Sequence, residues 1–301
     1  MSNDRDDFLP AIRNTGLWAS DSRKIANGKS LDVYLERTGA LEPADLSDVE
    51  AVQWGHKLQD VIGRECGAKL RTNFLAADYS LTHSKETYIK SHFDFIDETG
   101  RHLLEVKNYN AAVRNKFGED GSDHIPTADF AQCVHEALVH NLDQITLGVL
   151  FGGQELCCYP ITVTEAHKEE LVQVLAKLWG RIVAKNPPDA TTIEQTKLLY
   201  PTSTDGVVTA DQNLENDIEW LKMAKANLKT AETDFEEVEL RVRKLMGTNS
   251  ELRTFDGRTL VTWKSAKASE KFDTALFKSA MPDIYDKFIV SVPGSRRFLL
   301  K

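Results

Sequence analysis

Two apolar runs hinged on a pair of glycines constrain this chain more than any other feature. QITLGVLF (Gln144 to Phe151) and the segment from Glu155 to Val163 are strand-like, and Gly152-Gly153 between them reads as a tight turn. A helical pattern from Thr127 to His140 precedes them, and another from Glu165 to Ala184 follows and covers a face of their sheet. Upstream, a helical segment from Ser47 to Leu70 carries Val49, Val52, Leu58, Val61 and Ile62 on one side. Alternating or apolar stretches follow at Arg71 to Tyr79, Tyr88 to Ile96 and His102 to Val106. The turn Glu98-Thr99-Gly100 makes the last two a hairpin. Helix, several strands, helix, two strands, helix is an α/β pattern built on a central mixed sheet.

A turn-rich stretch from Lys185 to Gln212, containing NPPDA and YPTSTDG, separates this part from the rest. The expected units are residues 1–205 and 206–301. In the second, Leu214, Ile218, Leu221, Leu228, Phe235, Val238, Val242 and Leu245 recur at helical spacing and predict one long amphipathic helix. Packing on its own domain and pairing with another helix both satisfy that pattern. A hairpin around Asp256-Gly257, a short helix from Thr274 to Ala280 and the basic segment SRRFLLK complete the chain.

Among 301 residues, 41% are apolar and 28% charged, as in a globular enzyme. The opening MSNDRDDFLP has no apolar core of a leader, and no apolar run approaches the roughly 20 residues that cross a bilayer, so a cytoplasmic protein without a membrane partner is expected. The cysteines, Cys66, Cys133, Cys157 and Cys158, form no CxxC pair and read as reduced core thiols. The histidines show no HExxH spacing, so any metal is held by oxygen. Net charge is −9, which at first opposes a DNA partner. The charge is unevenly spread. Residues 1–205 hold 21 Lys/Arg against 31 Asp/Glu, a balance of −10, whereas residues 253–301 hold 10 against 5, a balance of +5.

The sharpest chemical feature is SHFDFIDETGRHLLEVKNYN. Asp94 is expected inside one strand, and Glu105-Val106-Lys107 at the end of the next. Alternation puts Glu105 and Lys107 on one face, because side chains two residues apart on a strand are neighbours. Two carboxylates there suit Mg²⁺, and a lysine beside them suits a water that it orients or deprotonates. Phosphodiester hydrolysis needs both, since the attacking water must lose a proton and the phosphorus centre gains negative charge. The competing reading is a surface hairpin with solvated charges; Leu103, Leu104 and Val106 oppose it by placing these charges on a buried strand.

Several segments together resemble the lambda-exonuclease-like, YqaJ-type viral recombinase family, whose fold is the restriction-endonuclease-like PD-(D/E)xK nuclease core. They are RNTGLWASDSRKI (13–25), SLDVYLERTG (30–39), WGHKLQDVIGRE (54–65), FDFID with LLEVKN, DFAQCVHEAL (129–138) and LGVLFGG (147–153). The tail is similar too, in a long helix, VTWK (261–264), and Phe272, Phe277, Pro282, Tyr285 and Phe288.

The resemblance implies a 5′ to 3′ exonuclease that digests one strand of linear double-stranded DNA with Mg²⁺, Mn²⁺ substituting. It leaves 3′ single-stranded tails for a single-strand annealing protein or recombinase, in a phage or prophage setting. It implies a homo-oligomer, since members can form ring-shaped trimers. Asp94 and Glu105 would be metal ligands with the backbone carbonyl of Val106. Lys107 would activate the water and touch the scissile phosphate, and Gln132 would orient the nucleophile or phosphate. Arg13 and Ser20 would meet the DNA 5′-phosphate, for which a guanidinium fork and a hydroxyl are suited. Three positions depart from the family pattern. Gln59, with Asp60 beside it, stands where a glutamate is common, His92 where a serine can precede the aspartate, and Glu136 where a tyrosine is often found. Two other functions stay open: a different PD-(D/E)xK nuclease, RecB-like and acting on single strands or internally, and a catalytically weak DNA-binding or assembly module. Trp18, Trp54 and His135 read as packing residues.

Overall fold

The expected buried strands lie side by side in one mixed sheet, and a second, smaller sheet is interleaved with it along the chain. A computed structural model describes residues 10–43, 45–77, 79–291 and 294–301, which divide at Leu199/Tyr200 into two compact units. In the first unit a short helix, α1 (Pro10–Arg13), leads through β1 (Leu17–Trp18) into α2 (Ala19–Ala26), α3 (Ser30–Arg37) and the long α4 (Glu50–Leu70). Strands β2 (Phe74–Ala76), β3 (Ser80–Thr82), β4 (Ile89–His92), β5 (Phe95–Asp97) and β6 (Leu103–Tyr109) follow. Then come α5 (Thr127–His140), β7 (Gln144–Phe151), β8 (Glu155–Thr162), α6 (Glu165–Val183) and α7 (Ile193–Leu199).

The main sheet runs β2-β5-β6-β7-β8, and a three-stranded sheet runs β1-β4-β3. β6 and β7 are parallel, and α5 is the crossover that parallel strands require. All other neighbours in the main sheet are antiparallel. This is the α/β architecture expected, a central mixed sheet with helices packed on it. One expectation needs correction. The stretch from Tyr88 to Ile96 is not a single strand: β4 belongs to the small sheet and β5 to the large one, and Asp94 sits in the bend between them.

Alternation along the strands sorts the core into two layers. Leu104, Val106 and Cys158 pack with Ile62 and Cys66 of α4, whereas Leu103, Leu147, Val149, Cys157 and Tyr159 pack with Cys133, Val134 and Ala137 of α5 and Leu175 and Leu178 of α6. Glu105 and Lys107, at odd positions like Leu103, therefore face the α5 layer. Helix α4 lies very close to β5: a Cβ on Gly63 would stand 2.4 Å from the Phe95 ring. The glycine lets the helix approach, and Gln59, one turn earlier, comes down beside Asp94 as a result. All four cysteines are free and buried. No helix among the described residues is long and apolar enough to cross a membrane.

The second unit holds α8 (Gln212–Met246), β9 (Glu251–Arg253), β10 (Thr259–Thr262), α9 (Thr274–Ala280) and α10 (Pro282–Lys287). Asp211 caps α8 by accepting from the Leu214 N–H at 2.8 Å, and Gly247, with φ at +55°, ends it. The helix is 35 residues long, and Leu214, Leu221, Leu228 and Phe235 on it are exposed. β9 and β10 form the expected hairpin, with a register shift between Thr259 and Val261.

Candidate active site

Register alone places the two carboxylates opposite each other. Phe95 pairs with Leu104 in the antiparallel β5/β6 ladder, so one step further Asp94 faces Glu105. Beyond that point β5 has ended, and the edge of β6 is free to serve Asp94 in place of a strand: the Val106 N–H donates to Asp94 Oδ2 at 3.0 Å. The N–H and C=O of a strand residue face the same neighbour, so the Val106 carbonyl faces this edge too. Gln59 of α4 donates to Asp94 Oδ1 at 2.7 Å. Glu105 is 4% exposed and ion-paired with Lys107 through Oε1.

Helix α5 closes the site from the other layer. Gln132 Nε2 donates to Glu105 Oε1 at 2.6 Å and to Glu136 Oε1 at 3.1 Å, so both protons of its amide serve carboxylates. Its carbonyl oxygen is the atom left for other work, which makes it an acceptor at this site. Glu136, 1% exposed, is a third acidic group here, one helical turn from Gln132.

Electrostatics follow from that crowding. Burial, then the neighbouring Glu105 carboxyl, pushes Asp94 well above the usual carboxylate range, with Lys107 and the Val106 N–H working the other way. Burial, then Glu105 and Asp94, pushes Glu136 up likewise. Burial pulls Lys107 down, but Glu105 and Asp94 outweigh it and hold the ammonium above the ordinary lysine value. Three acids share one lysine, an arrangement short of positive charge. The donor set is hard oxygen, and it fits Mg²⁺, which takes one or two carboxylates and keeps several waters. No group of three or more His, Cys, Asp or Glu among the described residues is arranged as a metal cage, so the fit is of this two-carboxylate kind.

A second polar cluster adjoins the first along β6. Tyr109 shares a face with Glu105 and Lys107, and its hydroxyl donates to Asp129 Oδ1 at 2.6 Å. Arg23 of α2 donates through Nε to the same oxygen at 2.9 Å and through Nη2 to the Tyr109 hydroxyl at 2.8 Å. Burial keeps the Tyr109 phenol far above its ordinary value, so it stays protonated and able to donate. At the start of the same helix, Arg13 Nη2 donates to Ser20 Oγ at 2.6 Å, and the Arg13 guanidinium lies 5.6 Å from the Trp18 ring centre. The N-terminus of α2 is held by Asp21, which accepts from the Trp18 N–H at 2.8 Å and pairs with the fully buried Arg37 at 2.6 Å.

Residues 9–143 match the family model of the YqaJ-like viral recombinase domain. That segment is similar to a YqaJ-like viral recombinase domain. Among solved structures, the alkaline exonuclease LHK-Exo from Laribacter hongkongensis is similar at 11% identity over 58% of this chain and 92% of that one, with a TM-score of 0.47. A phage-related exonuclease from Haemophilus somnus 129PT is similar at 11% identity over 56% and 82%, with a TM-score of 0.39. No curated protein matches the chain.

Every site residue described above falls inside the YqaJ-like domain's match. Of those expected from sequence, the domain brings Asp94, Glu105, Val106, Lys107, Gln132 and Gln59 to one point, and it pairs Arg13 with Ser20. Asp60 does not join them. It is exposed, turned about 100° from Gln59 on α4, and lines a groove with Arg64, Arg71 and Asn73. His92 lies on β4 in the small sheet, its Nδ1 3.3 Å from Ser80 Oγ. His135 is a core residue, as read. Sequence reasoning gave no role to Glu136, Arg23, Tyr109 or Asp129. The i, i+4 step from Gln132 to Glu136 and the i, i+2 step from Lys107 to Tyr109 were the signals available.

Proposed function

We propose that this protein is a metal-dependent exonuclease that digests one strand of linear double-stranded DNA from its 5′ end and leaves 3′ single-stranded tails. The observation that carries the reading is Asp94 facing Glu105 across the β5/β6 register, with Lys107 ion-paired to Glu105 on the same face. Asp94, Glu105 and the Val106 carbonyl would hold Mg²⁺, or Mn²⁺ in its place. Bound there, the ion would lower the pKa of a water and polarise the phosphate. The protein's own groups do the rest. Lys107 keeps its charge and donates to a phosphate oxygen as negative charge builds on it. Gln59 and the Val106 N–H fix the Asp94 carboxyl, and the Gln132 amide fixes Glu105. The Gln132 carbonyl oxygen accepts a hydrogen bond from the attacking water and so aims its lone pair. Arg13 and Ser20, already joined by a hydrogen bond, take the terminal 5′-phosphate, for which a guanidinium and a hydroxyl are suited.

The product suits a single-strand annealing protein or recombinase as partner, in the cytoplasm of a phage-bearing bacterium, with the enzyme working as a homo-oligomer. End-labelling tests the polarity. On linear duplex with Mg²⁺, a 5′ label is expected as released mononucleotide in the first turnovers while a 3′ label stays with long single strands, and removal of the 5′-phosphate slows the reaction. Early release of the 3′ label, or equal cleavage of circular single strands, contradicts it and favours the single-strand or endonucleolytic reading.

A further inference from the structure

Glu105, Lys107 and Tyr109 form a row on one face of β6, each about 7 Å further along the strand than the last. The Arg23 guanidinium lies over the end of that row, 5.6 Å from the centre of the Tyr109 ring. It comes from a different element, α2, and is aimed by two contacts, Nε on Asp129 and Nη2 on the Tyr109 hydroxyl. Asp129 is almost wholly buried at 4%, whereas the Arg23 side chain is 39% exposed. The acid therefore serves as an internal anchor, and the base reaches the surface. A guanidinium has five N–H donors, and two contacts leave three for a ligand. Anchoring by an acid and an aromatic ring removes most of the rotamer entropy that an arginine loses on binding, so the remaining donors are preorganised.

What such a fork recognises is an anion with several oxygens, and its place in the row says which. Lys107 sits beside the carboxylates where the scissile phosphate belongs. The next phosphate of the same strand is one nucleotide away, a separation close to the two-residue step from Lys107 to Tyr109. We infer that Arg23 is a DNA contact, binding the phosphate adjacent to the scissile one and setting the register of the strand across β6. The inference rests on the nuclease reading above. It adds a phosphate subsite to that site and assigns Asp129 and Tyr109 as the residues that position Arg23.

Salt dependence of binding separates a phosphate contact from a structural ion pair. The probe is a fluorescently labelled linear duplex with a 5′-phosphate, bound in EDTA so that no cleavage intervenes, at KCl concentrations from low to moderate. Arg23→Gln keeps a donor for Asp129 and loses the charge. It is expected to weaken binding about tenfold at low salt and to reduce the slope of log K against log salt by about 1. Arg23→Lys keeps the charge and should recover the slope. Thermal melts of all three proteins check that each is folded. If Arg23→Gln binds folded with the natural affinity and slope, the inference is overturned and the nuclease reading stands. If the natural protein itself shows no salt-dependent binding to the duplex, both fall.

Discussion

Replacing Asp94 by Asn is expected to reduce nucleotide release roughly a thousandfold, equivalent to about 4 kcal/mol of lost transition-state stabilisation, and at the same time to make the folded protein more stable. The two effects have one cause. Asp94 is ringed by Glu105, Glu136 and the apolar core, and burial followed by Glu105 raises its proton affinity well above the ordinary carboxylate value. A carboxyl whose folded pKa lies above its unfolded one costs stability once the pH exceeds the unfolded value, near 4, because ionising it is then harder in the folded state. Asn removes that cost and still accepts from the Val106 N–H, and Gln59 can turn its amide to suit. The gain should be on the order of 1 kcal/mol at pH 8 in EDTA, shrinking as the pH falls toward and below about 4, where Asp94 of the unfolded chain becomes protonated as well. Urea unfolding at the two pH values measures it. A variant that is inactive because it is destabilised would show the opposite sign, and that result would remove Asp94 from the site.

Acid should destabilise the protein through His135. Its ring is fully buried between α2 and β4: Nε2 donates to the Lys90 carbonyl at 2.9 Å, which leaves Nδ1 as the acceptor for the Ser22 hydroxyl at 2.7 Å. Both bonds are made by the neutral ring. Burial lowers its pKa to about 4, with His83 acting in the same direction and the Lys90 carbonyl and Asp21 against it. A depressed folded pKa means that the unfolded chain binds the proton first, so stability is fully present above about 6.5 and is lost as the pH falls toward 4, by about 3 kcal/mol in total. Between pH 7.5 and 5 the natural protein should lose about 2 kcal/mol more than a His135→Gln variant, read from urea midpoints. Equal losses in the two proteins would show that His135 titrates normally and that the packing of α2 on α5 does not depend on its neutral form.

How much of this could be read from the sequence varies with the distance over which each feature is decided. Helix α5 and strands β7 and β8 are visible as local patterns, because a continuous apolar run and a glycine pair state their own boundaries, and the structure's limits for α5 are those expected, Thr127–His140. The pairing of Asp94 with Glu105 is also nearly local, since one short turn joins the two strands. The break between β4 and β5 is not. Alternation continues smoothly through SHFDFID, and nothing in a period of two records that the chain leaves one sheet for another at Asp94. Hydrophobic pattern also says nothing about contacts made across the fold. Arg23 meets Asp129 over 106 residues of sequence, and Gln132 meets Glu105 over 27. Glu136 stands out in the sequence only as a helical acid where the family often has a tyrosine. Its meaning comes from the alternation that turns Glu105 toward α5, which is a property of the assembled sheet.

The most direct test is nucleotide release from 5′-phosphorylated linear duplex in Mg²⁺ and in EDTA, by the natural protein and by Lys107→Ala. Lys107 pairs with the buried Glu105, so melting curves of both proteins accompany the assay and separate loss of chemistry from loss of fold. Release that requires Mg²⁺ and falls a hundredfold or more in the variant is the predicted result. Release that persists in EDTA, or that Lys107→Ala carries out at the natural rate, would contradict the assignment of Asp94, Glu105 and Lys107 as the catalytic centre.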